Sequence, residues 1–383
     1  MKFDHSHLSY CTNIHPAETW METFHMLRTH VLAVRDRLRA SSSLDADEAF
    51  AIGLRLSAMA AQELLEGNHV AEFREWLEET NTYVFTINGF PYGSFHGTRV
   101  KEQVFKPDWT EQARVGYTKD LFRILAAIAR PGTGASVSTL PGSHKTFHAD
   151  EGPIRKNLIE LAGWLEELAA ETGHDFHLGL EPEPLGHFEN TVETLAFFER
   201  LHAEAPDAEI LRRRIGVNFD TCHFALEYDD VRASLDVMVN SGIRISKIHL
   251  SSALVLDPRD PAAIAAIRAF DEPTYFHQVL VLGDGARITR FVDLPDFLNA
   301  GEIAGAVEAR VHFHIPLDAE PSPPLHSTRR EVARVLAWRR ENPSACGHYE
   351  IETYTWGVLP GGLQRPVEVQ IAGEYAWVLS HAQ

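Results

Sequence analysis

The chain has 383 residues, with 35 Lys and Arg against 54 Asp and Glu and a formal charge of −19, so a polyanion such as nucleic acid meets net repulsion and is excluded as a partner. Three cysteines, Cys11, Cys222 and Cys346, are too few and too scattered for a disulfide framework or a CxxC zinc site, which points to a reducing compartment. No run reaches the roughly 18 apolar residues of a membrane helix and the opening MKFDHSHLSYC lacks the basic-then-apolar order of a signal peptide, so a cytoplasmic chain without membrane insertion is expected.

Short runs rich in Val, Ile, Phe, Tyr and Leu alternate with longer amphipathic segments, the pattern of repeated β-then-α units and a parallel sheet. In chain order the expected strands are HLSYCTN, AIGLRLS, YVFTING, SVSTLP, FHLGLE, IGVNFD, SKIHLS, VHFHIPL and HYEIET. Nine is one more than a closed (β/α)8 barrel uses, so either AIGLRLS or VHFHIPL is expected outside the ring. Helices are expected at ETWMETFHMLRTHVLAVRDRL, AMAAQELLE, VAEFREWLEE, KDLFRILAAIA, IRKNLIELAGWLEELAAE, TVETLAFFERLHAE, DVRASLDVMVNSG and TRREVARVLAWRR. In the fifth of these Ile154, Leu158, Leu161, Leu165 and Leu168 form one apolar stripe, so that helix packs on a sheet. Gly173 and Gly242 close helices before strands. No low-complexity segment or Gly/Ser linker divides the chain, and the expectation is one barrel domain over 1–383. An insertion is expected at 257–299, where YFHQVLVL, a Gly-Asp-Gly turn and ARITRFVDL read as a β-hairpin. The loop NGFPYGSFHGTRVKEQVFKPDW, with His96, reads as a cap over the barrel mouth or as a packed surface loop.

Four polar residues end strand-like runs in the second half of the chain: Glu181 in LGLEPEP, Asp220 in VNFDTCH, His249 in KIHLSSA and Glu352 in YEIETYTW. A parallel barrel gathers its C-terminal strand ends at one rim, where barrel enzymes keep their chemistry. Three carboxylates and an imidazole form a hard ligand set for one divalent ion, Mn, Mg or Co, with Zn admitted. Singly, each has a structural explanation as a cap, a core histidine or half of an ion pair; all four at strand ends point to a metal site. A register slip by one unit would exchange Glu352 for Glu350. His312 and His314 share one strand face; pointing inward they bind substrate or a second metal, pointing outward they are half-buried surface. His15, His144 and Lys145 also follow strands, with Lys145 suited to neutralising an anion. His277 belongs to the insertion, and Cys222 has no base partner nearby.

The series LEPEP, FDTCH, KIHLSSA, IETYTW resembles the xylose-isomerase-like TIM barrels of the sugar isomerase and epimerase superfamily. The blocks CTNIHPAETW, YVFTINGFPYGSFHG and STLPGSHK resemble one branch, the EboE metabolite-traffic family. The resemblance implies one divalent cation on Glu181, Asp220, His249 and Glu352, and a 1,2-proton shift through an enediolate. Glu181 and Glu352 would be the base and acid and His223 would reach the substrate oxygen beside the metal; the nearly equal alternative makes His223 a cap of the strand-to-helix turn. A Phe-Glu pair that closes on substrate in the epimerases would be Phe188 and Glu189, at a longer interval here, with Glu183 and His187 as competitors. His15, His144, Lys145, His312 and His314 complete the substrate-binding candidates. The implied partner is a small polyhydroxy metabolite, and the EboE resemblance implies a secondary-metabolite pathway; a homo-oligomer is left open. Two other readings compete: a non-catalytic carrier on the same fold, and an endonuclease-IV-like phosphodiesterase, which the negative charge disfavours.

Overall fold

A computed structural model describes residues 1–94, 101–360 and 362–382. Nine strands form one sheet in the order β1 (Lys2–Phe3), β2 (Ser6–Tyr10), β14 (His348–Ile351), β8 (Arg244–Leu250), β7 (Ile215–Asp220), β6 (Phe176–Leu180), β5 (Ala135–Thr139), β4 (Thr82–Asn88) and β3 (Phe50–Arg55). Only β1 pairs antiparallel. The other eight are parallel, and a bridge between Cys11 and Gly53 brings β2 to β3 and closes the ring. A Cβ on Gly53 would collide with the Glu350 carboxylate and the Tyr10 carbonyl, so the closing strand has room only for glycine there. AIGLRLS is therefore a ring strand, and VHFHIPL is the ninth candidate, left outside.

The residues between β8 and β14 build a second sheet in the order β11 (Ile288–Phe291), β10 (Val279–Gly283), β12 (Ala306–Val311), β9 (Leu254–Leu256) and β13 (His326–Ser327). All its pairings are antiparallel, and β10 with β11 is the expected hairpin. The sheet spans 254–327, wider than 257–299. It has its own apolar core, including Leu254, Ile267, Phe297, Val311 and Phe313. VHFHIPL contributes only Val311 to a strand. The rest is irregular buried chain, tied by His312 N–H to the Gln278 carbonyl and Ile315 N–H to the Ser252 carbonyl, both 2.9 Å.

Helices surround the ring. The expected helix over 18–38 is α1 (Trp20–Met26) and α2 (Leu32–Ala40) joined by a π-helical turn, Leu27–Val31, and it starts from a capping box of Thr19 and Glu22. In α6 (Glu151–Thr172) the stripe residues Ile154, Leu158, Leu161 and Leu165 are buried and Leu168 is half-buried. The sequence reading has no counterpart for α14 (Val367–His381), which buries Ile371, Tyr375 and Val378. Among the described residues no helix is long and apolar enough to cross a membrane.

Inside the ring, residues two apart on a strand share the inward face, which stacks polar side chains from floor to rim. Near the floor His177 hydrogen-bonds Ser246 and His348 hydrogen-bonds Ser136. One level up, Lys247 donates to Ser138 and Glu350. The pairing of β7 with β8 skips Ser246, since Val217 faces Ile245 and Asn218 faces Lys247. That bulge re-aims the strand so that Lys247 and His249 follow Ser246 into the interior.

Candidate metal centre

Asp220, His249 and Glu350 lie in register across β7, β8 and β14. Glu181 follows β6 and Glu352 follows β14, so the four expected ligands occupy successive strand ends. One ligand atom from each of Glu181, Asp220, His249 and Glu352 lies within 4.8 Å of the others, and all four residues are buried.

Three of the four, His249, Asp220 and Glu352, are held from behind. His249 Nε2 meets Glu350 at 2.9 Å; a carboxylate accepts, so Nε2 carries the proton and Nδ1 turns its lone pair to the centre. Nδ1 lies 3.2 Å from Glu181, 3.3 Å from Asp220 and 3.1 Å from Glu352. Asp220 Oδ1 caps α9 (Thr221–Leu226), accepting from the N–H groups of Cys222 and His223, and also takes the Ser251 hydroxyl. Its Oδ2 is buried with no hydrogen-bond partner. Asp220 thus acts both as a helix cap and as a free oxygen at the centre. Glu352 Oε1 accepts from the amides of Asn13 at 2.9 Å and Asn88 at 3.2 Å. Glu350 is not part of this group. It sits one layer deeper between His249 and Lys247, and Lys247 at 2.6 Å holds its carboxyl at about 2 in spite of burial.

The electrostatics are those of a site built around positive charge. Burial opposes a charged His249, but the Glu352 carboxylate and then Glu181 raise its pKa well above the ordinary value. Burial and then the charges of Glu181 and Asp220 push the Glu183 carboxyl well above its usual range. An orphaned buried oxygen, an oriented imidazole and two further carboxylates fit a divalent cation.

The centre lies at the foot of a cavity of about 630 Å³, counting its open mouth. Phe90, Phe105, Tyr275, Phe276 and Tyr354 wall it, and Lys101, ion-paired with Asp293 at the start of the helix Leu294–Asn299, stands at its edge. His223, His312 and Glu183 reach into it. His314 is buried against Tyr354 and Glu352. Other expected residues are not among those lining the cavity. Lys145 pairs with Glu189 and Glu193, and Phe188 packs on Phe197. His144 packs edge-on against Phe105 and bonds Thr146. His15 contacts Tyr10 and stacks on His30. His277 bonds Glu272 and the His312 carbonyl. His187 pairs with Glu151, so of the competitors for the Phe-Glu position it is Glu183 that faces the cavity. His96 lies outside the described residues. The sequence reading passed over Asn13 and Asn88, although both end strand-like runs and meet the same test as the ligands.

No protein-family model matches the chain, and no curated protein matches it. Solved structures do. The probable 3-DHS dehydratase AsbF of Bacillus anthracis is 11% identical, with 97% of each chain covered and a TM-score of 0.47. A xylose isomerase domain containing protein of Salmonella typhimurium is 14% identical, with 100% of this chain and 99% of that one covered and a TM-score of 0.46. An L-ribulose 3-epimerase is 12% identical, with 98% and 94% covered and a TM-score of 0.46. The functional reading rests on the site itself.

Proposed function

We propose that the chain is a divalent-metal-dependent isomerase or epimerase that moves a proton between neighbouring carbons of a small polyhydroxy metabolite, a sugar or a cyclitol. The observation that carries this reading is the convergence of Glu181, Asp220, His249 and Glu352 within 4.8 Å at the foot of a walled cavity. A divalent cation held there supplies the charge that acidifies a hydrogen beside a carbonyl and offsets an enediolate. Glu181 and Glu352 are the outer members of the four in the strand order, one on each side of His249 and Asp220. In this reading one takes the proton and the other returns it. Asn13 and Asn88 fix one oxygen of Glu352 and leave the other toward the centre. The aromatic wall excludes water from the proton in transit. The blocks resembling the EboE branch support a substrate among secondary metabolites.

Deuterium incorporation from solvent into candidate sugars and cyclitols, with Mn present, tests this. Carbon-bound deuterium is expected, and Glu352→Gln should abolish it. Tight binding of a polyol with no exchange would overturn the catalytic reading in favour of a carrier.

A further inference from the structure

The cavity above the four-ligand centre has two unlike sides. Its polar lining is one network rooted at the centre: Asn13 and Asn88 donate to Glu352, His223 Nε2 lies 3.4 Å from Glu183, and Gln278 Oε1 meets His312 Nδ1 at 2.8 Å. The His312 ring stands 4.9 Å from that of His223 and joins Gln278 to the rest. The other side carries Phe90, Pro91, Val104, Phe105 and Phe276, whose side chains have no donor or acceptor. Its rings brace one another. Phe90 meets Phe105 edge-on at 5.2 Å, Phe105 meets His144 edge-on at 4.9 Å, and Phe276 lies nearly parallel to His144 at 6.5 Å. Val104 and Phe105 end a short helix, Lys101–Phe105, after β4, and Phe276 leads into β10 of the second sheet. The ring thus supplies the ligands, and the two enlargements of the barrel supply much of the wall.

Hydrogen-bonding capacity decides what fits. A polyol hydroxyl that leaves water needs a partner. Asn88 is fully engaged, its Nδ2 by Glu352 and Cys11 and its Oδ1 by the Phe90 N–H, and Gln278 is engaged by His312 and the Pro184 carbonyl. Asn13 Oδ1 and His312 Nε2 are buried and unpartnered, so capacity remains on the polar side. Among the described residues Lys101 is the one lysine or arginine in the lining; Asp293 holds it, and its ammonium stands 4.8 Å from the centre of the Phe276 ring. A hydroxyl or phosphate pressed on Phe90, Phe105 and Phe276 would lose its water without a replacement, whereas an aromatic ring there gains apolar burial and edge-to-face contacts.

We propose that the substrate has two parts, a polyhydroxy head at the four-ligand centre and an uncharged aryl group seated against Phe90, Phe105 and Phe276. The head rests on the isomerase reading above; the aryl group rests on the wall.

The test is calorimetric titration of the full chain, with and without Mn, using myo-inositol, its monobenzyl ethers and its monophosphate as probes. At least one benzyl ether is expected to bind about 10–100-fold tighter than inositol, and the phosphate no tighter than inositol. Phe276→Ala, which truncates a half-buried ring, should remove most of that advantage and leave the affinity for inositol unchanged. Val104→Ala, at another point of the wall, serves where that variant fails to fold. An advantage that survives both variants, tighter binding of the phosphate, or no preference for any ether overturns the aryl site. Binding that depends on Mn with no ether preference overturns it while leaving the isomerase centre standing. An ether preference that is lost in Phe276→Ala and indifferent to Mn supports the aryl site and overturns the cation beneath it.

Discussion

Glu350 shows how one residue below the rim decides what the rim can do. Its carboxylate holds Lys247 at 2.6 Å and His249 Nε2 at 2.9 Å, all three fully buried. Glu350→Leu would leave the Lys247 ammonium buried without counter-charge and remove the acceptor that fixes the His249 tautomer. The expected cost is about 3–5 kcal/mol of stability, read from urea unfolding, together with roughly 10–100-fold weaker cation binding. Unchanged affinity would mean that His249 is not oriented from behind. Glu350 and Glu352 share a strand face, and the sequence could not choose between them because alternation fixes direction but not depth. The structure brings Glu352 together with Glu181, Asp220 and His249, whereas Glu350 spends its carboxylate on Lys247 and His249 Nε2.

At the scale of elements, the ring strands were legible because buried parallel strands are short apolar runs bounded by turns. Periodicity could not separate AIGLRLS from VHFHIPL, since an irregular segment packed between two layers is as apolar as a strand. What holds HFHIP is Phe313, fully buried against Phe270 at 5.1 Å and His277 at 4.7 Å in the core of the second sheet. With His312 and His314 on either side, Phe313 anchors the segment that brings both imidazoles to the site. Phe313→Ala should cost about 3–5 kcal/mol in chemical unfolding. A loss below about 1 kcal/mol would show that the segment is held by something other than this ring. The second sheet escaped the sequence beyond its hairpin because β9 and β13 are only 3 and 2 residues long and find each other across the inserted residues.

For the whole molecule, α14 closes the outside of the barrel and places one unusual acid in the interior. Glu374 is fully buried, accepts from Thr353, Leu317 N–H and Gln370, and has its pKa pushed by burial to about 7, against the Thr353 hydrogen bond. The unfolded chain releases this proton near 4.5 and the folded chain near 7, so the folded state binds the extra proton between them. The contribution of Glu374 to stability therefore falls as pH rises from about 4.5 to about 7 and levels off above. Glu374→Gln should remove that slope and stabilise the protein by about 1–3 kcal/mol at pH 8. Gln370 Oε1, buried and unpartnered, is ready to accept from the new amide once its own amide turns over. A stability difference that stays constant from pH 4 to 8 would contradict the assignment. The helix was missed because Gly373 interrupts its sequence pattern; the structure explains the glycine, since Asp318 presses on that position and leaves no room for a Cβ. The convergence of four strand-end side chains was legible and this acid was not, for one physical reason: strand ends mark the rim in the sequence, while burial inside a helix interface leaves no local signature. The central claim is that one cation is held where four strand ends meet. Anomalous diffraction from a crystal soaked in Mn tests it most directly. A peak bounded by Glu181, Asp220, His249 and Glu352 is expected, and a map with no peak among those four side chains would contradict a cation at this place.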